Sequence, residues 1–295
     1  MTDRLSVLGV PSAAGTHGPG QERAPGALRR AGLVERLEAG GAEVEDHGDL
    51  PVVGFATDRR HRKRQNLERV VDVVRAVDTG VGAMLDAGTR PLVIGGDCTI
   101  TLGVVGAFVR RHPDLGLIYL DGDIDVSTPD STTSGILDTM GMAHLLGIGA
   151  PELAGAGPRR PLLSGDHVVA FGYDEIESSA GQRAWLAGQG VACFPTQGIT
   201  DVREQADRAC REIASRADPV LVHFDVDVID STDFPLADFP HFNEGLSYED
   251  AITALRAFCS LDGFGGLVLT EINPHRDVDG SLVDRLVGDL VDVLT

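Results

Sequence analysis

The sequence is poor in cysteine and in basic residues, and each shortage excludes a class of protein. Its four cysteines, Cys98, Cys193, Cys210 and Cys259, have no paired spacing. They therefore indicate neither a disulfide framework nor a zinc knuckle. Lysine and arginine together number 25, against 45 aspartates and glutamates, which gives a formal net charge of −20. That balance argues against binding to nucleic acids or to anionic membrane surfaces, because both need basic patches.

Long apolar runs and targeting signals are missing as well. No apolar run approaches the roughly 20 residues of a membrane span, and Met1-Thr-Asp-Arg leads into a strand-like run without the apolar core of a signal peptide. We therefore expect a cytoplasmic protein with reduced thiols. The 295 residues contain no internal repeat, low-complexity tract or long linker, and we expect a single domain over residues 1–295.

Short apolar runs alternate with helical patterns along the chain. The predicted strands span residues 5–10, 42–47, 91–94, 115–120, 168–171, 191–194, 220–224 and 266–269. The predicted helices span residues 24–39, 66–86, 101–111, 181–189, 203–217, 248–259 and 281–294. This alternation predicts an α/β fold with a mostly parallel central sheet and helices on both of its faces.

Three of the predicted strands end abruptly in acidic or thiol side chains. In chain order, these are Cys98, Asp121, Asp123, Asp125, Asp225 and Asp227. Parallel strands bring their carboxyl ends to one crevice, and Asp-x-Asp spacing places two side chains on the same side of an extended segment. Acids this close repel one another unless a cation lies between them, so the pattern predicts a divalent-metal site. The alternative is an acidic turn that caps the next helix.

A fourth strand end carries Glu271, within Thr270-Glu271-Ile272-Asn273-Pro274. An acid at this position would face the same crevice and could pair with a cationic group of a substrate. The alternative is a glutamate that caps a helix or orders a loop.

These motifs together resemble the ureohydrolase family of arginases, agmatinases and formimidoylglutamases. The succession is Gly-Gly-Asp-Cys at 95–98, Asp-Gly-Asp-Ile-Asp at 121–125, Ser-Gly-Ile-Leu-Asp at 134–138, Phe-Asp-Val-Asp at 224–227 and Glu-Ile-Asn-Pro at 271–274. Their order and spacing fit the family over nearly the whole chain. The resemblance implies an arginase-like, three-layer α-β-α fold and a urea-releasing hydrolase of a C–N bond in a small guanidino-type compound. It also implies a homo-oligomer, either a trimer or a hexamer.

The resemblance further implies two divalent ions, foremost Mn²⁺, with Fe²⁺, Co²⁺, Ni²⁺ or Zn²⁺ as alternatives. In that family a metal-bound hydroxide attacks the guanidinium carbon. The implied ligands are Asp121 and Asp225 as bridges, Cys98 and Asp125 on one ion, and Asp123 and Asp227 on the other. The implied catalytic residues are Asp125, Asp138 and Glu271, of which Glu271 would also bind the substrate guanidinium.

The sequence departs from the family at three histidine positions. Cys98 and Asp123 stand where the family usually has metal-binding histidines, so groups that bind as anions replace both neutral ligands. Such a shell should make each ion a poorer Lewis acid, and a thiolate favours softer metals. Asp138 stands where a histidine commonly shuttles protons, a role that a carboxyl group can take only with a raised pKa. The alternative shuttles are His144, His241 and His275.

Other departures lie at positions that read the substrate. Ser127 replaces an asparagine that arginases use, Ser134 is retained, and Asp174 lies near the segment that reads the substrate's amino end. Residues 234–242 form a bulky apolar segment, interpreted as a rim loop that packs on a neighbouring subunit. These changes argue against ordinary L-arginine as the substrate.

Two alternative functions remain open. Cysteine in the Gly-Gly-Asp motif is similar to that of hydroxyarginine hydrolases from antibiotic pathways. The second alternative is a catalytically inactive relative that acts as a binding or assembly subunit, because the usual histidines are absent.

Overall fold

The computed structural model describes residues 4–242 and 244–295. The strands within them form one sheet in the order β2-β1-β3-β8-β7-β4-β5-β6, and every neighbouring pair is parallel. The strands are β1 Arg4–Val10, β2 Glu43–Asp49, β3 Arg90–Gly95, β4 Gly116–Leu120, β5 Val168–Phe171, β6 Ala192–Phe194, β7 Val220–Asp225 and β8 Phe264–Thr270.

Helices cover both faces of the sheet. They are α1 Ala24–Arg30, α2 Leu33–Ala39, α3 Leu67–Asp86, α4 Ile100–Val109, α5 Gly141–Leu145, α6 Pro151–Ala154, α7 Ala180–Gly188, α8 Val202–Ala214, α9 Tyr248–Cys259 and α10 Ser281–Leu294. Single 3₁₀ turns lie between several of them. None of the helices in the described ranges is both long enough and apolar enough to cross a membrane.

Two apolar cores separate the three layers, because side chains alternate between the faces of each strand. In β4, Ile118 and Leu120 pack with α1, α2, α8, α9 and α10, whereas Leu117 and Tyr119 pack with the layer that contains α3 and α4. The central strands are buried on both faces, as expected for a parallel sheet. The predicted α/β fold, with three layers and a parallel central sheet, is confirmed.

Most predicted elements begin or end within a few residues of the observed ones, but two differences are larger. The single helix predicted over residues 24–39 is wrong, because Gly32 adopts a φ of 79° between α1 and α2 and interrupts the helical path. The sequence analysis also missed α5 and α6, whose five and four residues are too short to show a helical period.

Candidate metal centre

The carboxyl ends of four adjacent strands, β3, β8, β7 and β4, meet at one cleft. Such a crevice is the usual ligand site of open α/β sheets. Its lining residues are Thr16, His17, Cys98, Asp121, Asp123, Asp125, Asp138, Thr139, Asp225, Asp227, Asp238, Phe239 and Glu271. The structure therefore brings together every residue that the sequence analysis named as a metal ligand or as catalytic.

The turn after β3 places Cys98 at the entrance to α4. Gly96 lies so close to the first strand's loop that an added Cβ would be 2.2 Å from the Ser12 carbonyl oxygen. Asp97 fixes the turn, since its Oδ2 accepts hydrogen bonds from Ser12 Oγ at 3.0 Å and from the Gly15 N–H at 3.1 Å. The buried α4 starts directly afterwards, so the positive end of its dipole lies beside the acidic cleft.

Four side chains form what we call the inner cluster: Cys98, Asp121, His223 and Asp225, whose ligating atoms all lie within 4.8 Å of one another. All four are buried. The Cys98 thiol donates to Asp225 Oδ2 at 2.6 Å. Nε2 of His223 lies 3.4 Å from Asp121 Oδ2 and 3.6 Å from Cys98 Sγ.

A second group, the outer cluster, consists of Asp123, Asp227 and His241. The Asp123 side chain is 28% exposed, whereas those of Asp227 and His241 are 6% and 2% exposed. Nε2 of His241 lies 3.7 Å from Asp123 Oδ2 and 3.8 Å from Asp227 Oδ2. The backbone links the two clusters, because Asp121 Oδ1 accepts from the Asp123 N–H at 2.7 Å and Asp225 Oδ1 from the Asp227 N–H at 2.8 Å.

Two residues of the cleft have a left-handed backbone. Asp125 and Glu271 have φ values of 46° and 64°, which are rarely adopted by residues other than glycine. Tyr119 holds Asp125 in place by donating to its Oδ2 at 2.6 Å. The amide of Glu271 donates to the Gly96 carbonyl at 3.0 Å. Such strain persists only where surrounding contacts impose it, and it concentrates at functional sites.

The cleft is strongly anionic. Eight carboxylic side chains line it, and no lysine or arginine does so among the described residues. Burial, followed by the charge of Asp227, raises the pKa of Asp121 well above its usual value. Burial is likewise the leading cause that raises the pKa of Asp125, Asp225 and Glu271. Without a cation, these groups are forced towards their neutral forms.

Glu271 lies at the floor of the cleft with two close partners. Its Oε2 accepts a hydrogen bond from Nε2 of the buried Gln21, a residue that the sequence analysis missed. Its carboxyl group, the Cys98 thiol and the Asp138 carboxyl group lie within 4.8 Å of one another. Burial, followed by the charge of Asp97, raises the pKa of Asp138 to about 7.

Three predicted substrate-binding residues do not line the cleft as described. The Ser127 N–H donates to the carbonyl of Thr139, and Ser134 Oγ accepts from the Ile136 N–H at 3.2 Å. Asp174 is buried and accepts from Gln197 Nε2 at 2.7 Å. Asp174 nevertheless lies beside the outer cluster, because its carboxylate is within 4.8 Å of a His241 ring nitrogen that could bind a metal.

The bulky segment 234–242 is divided between the protein's interior and the cleft. Phe234 and Leu236 are completely buried in the chain's own core, which a rim loop would not require. Phe239, 40% exposed, lines the cleft and packs against His17 with ring centroids 5.6 Å apart. His241 follows it, so this segment supplies a side chain to the outer cluster. None of the three histidines considered as shuttles, His144, His241 and His275, is among the described residues that line the cleft, but His241 lies within 4 Å of two acids that do.

The donor chemistry of the cleft fits divalent metal ions. Asp121 Oδ2, His241 Nε2 and Glu271 Oε1 are buried yet have no hydrogen-bond partner. Buried polar atoms normally have partners, so three such atoms around one anionic cleft fit a site that binds cations or a polar ligand. Carboxylate oxygens and imidazole nitrogens are suitable ligands for Mn²⁺, Fe²⁺, Co²⁺ and Zn²⁺.

Comparisons with known proteins agree with this architecture. The model of the Arginase family matches residues 3–294. The chain is 29% identical to the arginase of Bacillus caldovelox over 298 residues, 97% of each chain, and 28% identical to human arginase-1, with 97% of this chain and 90% of that one covered.

Solved structures give the same result. The structure of the Bacillus caldovelox arginase superimposes with a TM-score of 0.91 and 26% identity, covering 99% of this chain and 98% of the other. A formimidoylglutamase from Bacillus subtilis, 18% identical, shares the fold with a TM-score of 0.79, covering 99% and 86%. The chain belongs to the arginase family of hydrolases.

Proposed function

We propose that the protein is a metal-dependent amidinohydrolase that releases urea from a guanidino-type compound. The observation that supports this most strongly is the convergence of eight buried or half-buried carboxyl groups, without a lysine or arginine, at the carboxyl ends of four parallel strands. The mutual repulsion of these carboxyl groups is unfavourable, and a purely structural role would not account for it. Two divalent cations, foremost Mn²⁺, would offset it and give the acids a function.

The proposed ligands are Cys98, Asp121, Asp123, Asp125, Asp225 and Asp227. When bound, divalent ions would supply Lewis acidity and activate a water molecule. The reaction adds water across a C–N bond of the guanidino carbon, so that urea and an amine leave. The protein's own residues must hold the guanidinium, keep it aligned and move a proton to the leaving amine.

Glu271 is the proposed guanidinium-binding residue. Gln21 donates to its Oε2, while its Oε1 lies beside the Asp138 carboxyl group and accepts from no N–H group of the described residues. A planar guanidinium could donate to this carboxylate through a charge-assisted hydrogen bond, which is stronger than a neutral one. A cationic substrate would also stabilise Glu271 in its ionised form, against the burial that raises its pKa.

Asp138 is the proposed proton carrier. A carboxyl group with a pKa of about 7 can both accept and donate a proton near neutral pH, as the missing shuttle histidine would. Its Oδ1 accepts from the Cys98 N–H at 2.7 Å, which fixes the carboxyl group against the turn after β3.

Hydroxyguanidino compounds are a further candidate substrate class, from which the same addition of water would release hydroxyurea in place of urea. Cys98 in the Gly-Gly-Asp motif resembles the corresponding residue of hydroxyarginine hydrolases, and its thiol is held at Asp225 inside the inner cluster. Ser127, Ser134 and Asp174 remain candidates for binding the rest of the substrate. We also propose a homo-oligomer, trimeric or hexameric, as in related proteins.

The test is a matrix of metals and substrates. The purified protein is stripped of metal, reloaded with Mn²⁺, Fe²⁺, Co²⁺, Ni²⁺ or Zn²⁺, and assayed for bound metal. Product release is measured as urea from arginine, agmatine and other guanidino compounds, and as hydroxyurea from hydroxyarginine. We expect two bound ions per chain and release of urea or hydroxyurea from at least one compound. Fewer than one tightly bound ion with every metal would contradict the proposal and favour a binding or assembly subunit.

A further inference from the structure

We propose that His223 and His241 provide imidazole ligands to the two metal ions, in place of the histidines missing at the Cys98 and Asp123 positions. This inference rests on the proposed function, because it requires metal at both clusters. His223 would bind the ion of the inner cluster and His241 the ion of the outer cluster. The two neutral ligands of this protein would then lie at different positions in the fold from the histidines usual in the family.

His223 is presented like a metal-binding histidine. It lies inside β7, two residues before Asp225, and its ring stacks on Tyr119 with centroids 4.2 Å apart and planes 9° apart. Its Nδ1 lies 2.8 Å from Thr101 Oγ1. A metal-binding imidazole usually donates its second nitrogen to such a neighbour, which leaves the first free to bind. That first nitrogen, Nε2, faces Asp121 and Cys98.

His241 is buried, and its ring is aimed at the acids of the outer cluster. Its Nε2 has no hydrogen-bond partner although the residue is only 3% exposed. The Ser231 N–H donates to its carbonyl at 2.8 Å and fixes the loop. Gly122 makes room for the ring, since an added Cβ there would lie 2.7 Å from Nε2. The lack of a side chain between Asp121 and Asp123 thus leaves space for an imidazole from a distant part of the chain.

The observed separations suit a shared ion better than direct hydrogen bonds. The distances of 3.7 and 3.8 Å from His241 Nε2 to the two acids exceed the 2.7–3.2 Å of an N–H···O bond. Two ligand atoms that each lie about 2.1 Å from one ion, at angles of about 90–120°, are about 3.0–3.6 Å apart. Small adjustments on metal binding would close the remaining difference.

The competing interpretation is an imidazolium that merely pairs with acids. The ligating atoms of His241 also lie within 4.8 Å of those of Asp174 and Glu177, so carboxylates surround the ring. The same carboxylates could also accept a hydrogen bond from the second ring nitrogen of a metal-bound imidazole, as carboxylates commonly do for such histidines. The two interpretations differ in whether an imidazole nitrogen is bonded to the metal.

Pulsed electron paramagnetic resonance of the Mn²⁺-loaded protein measures this bond directly, because ¹⁴N nuclei of a bound imidazole modulate the electron spin echo. We expect ¹⁴N modulations in the natural protein. We expect His241→Gln to remove part of them and to weaken binding of one of the two ions by at least 10- to 100-fold, the range seen when only a supporting partner of a ligand is lost. His223→Gln should do the same for the other ion.

His167→Gln is the matched control, because His167 is a half-buried histidine before β5 whose Nδ1 contacts only the Leu115 carbonyl in the described structure. It should keep both ions and the full modulation. Two bound ions and urea release without ¹⁴N modulation would overturn this inference and leave the proposed function standing. A protein that binds none of Mn²⁺, Fe²⁺, Co²⁺, Ni²⁺ and Zn²⁺ would overturn both. If His223→Gln does not fold, the natural protein and His241→Gln still decide the matter.

Discussion

The inner and outer clusters use the same chemistry but are built differently. The inner side chains lie in β7, directly after β4 or in the turn after β3, and all are buried. The outer cluster combines two strand-end acids with His241 from segment 234–242, and its Asp123 is partly exposed. The sheet thus fixes the inner cluster rigidly, whereas the outer one depends on a loop. We therefore expect inner ligands to be indispensable and outer ligands to be more tolerant of exchange.

The largest effect is expected for a substitution in the inner cluster, and the matching substitution in the outer cluster should have a smaller one. Asp121→Asn should remove both ions and lower kcat/KM by at least about 10³-fold, equivalent to about 4 kcal/mol, because Asp121 is the proposed bridging ligand. Asp123→Asn should release only the outer ion. Metal analysis and urea release measure both variants, with the exposed Asp130→Asn as the control. Equal metal loss in the two variants would contradict the expectation that inner ligands are less tolerant of exchange than outer ones.

Glu271→Gln should leave both clusters loaded but impair substrate binding. Losing a charge-assisted hydrogen bond costs about 1.5–3 kcal/mol, so we expect kcat/KM to fall by about 10- to 100-fold, mainly through KM. Gln21→Leu should have a smaller effect in the same direction, because Gln21 only orients Glu271. Steady-state kinetics with metal analysis test this. Loss of metal in Glu271→Gln would indicate a ligand instead of a substrate-binding residue.

Gly122→Ala should disturb the outer cluster selectively. The added Cβ would lie 2.7 Å from His241 Nε2 and 2.9 Å from the Asp227 carbonyl oxygen. Overpacking of this kind costs about 1–3 kcal/mol, so we expect about a tenfold weaker affinity for the outer ion. Calorimetric titration with Mn²⁺ would show the change. Gly188→Ala, at a helical glycine with open space for a Cβ, is the control.

A further expected effect is a pH dependence of stability in the metal-free protein. Burial, followed by the charge of Asp227, raises the pKa of Asp123 to about 7, as burial does for Asp138. Their unfolded-state pKa is near 3.9, so the folded state holds more protons between about pH 4 and pH 7. The contribution to stability is present below about pH 4 and is lost as the pH rises to 7.

Metal binding should reverse this loss, because the cations replace the protons. Thermal unfolding from pH 5 to 8 with a chelator should show a falling Tm, by roughly 2–4 °C for each kcal/mol lost. Added Mn²⁺ should raise Tm more at pH 8 than at pH 5. A metal-free Tm that rises across this window would contradict the account.

The sequence predicted the sheet and the strand-end acids for physical reasons. An apolar run that stops at Asp121 or Asp225 marks both a buried strand and its carboxyl end. By contrast, the break between α1 and α2 depends on one backbone angle at Gly32, which hydrophobic spacing does not show.

The histidine ligands that we infer show different limits of sequence analysis. His223 is a polar residue inside the buried run Val220–Asp225, and that anomaly could have drawn attention to it. His241 has no comparable signal, because only the folded path of segment 234–242 brings it to Asp123. Gln21 likewise meets Glu271 across 250 positions of sequence.

The most direct test of the account is the crystal structure of the Mn²⁺-loaded protein, with anomalous scattering recorded at the manganese edge. We predict two anomalous peaks in the cleft, one in contact with Asp121, Asp225 and the inner cluster, the other with Asp123, Asp227 and the outer cluster. A cleft without an anomalous peak, in protein loaded with excess Mn²⁺, would contradict the central claim that these carboxylates form a dinuclear metal centre.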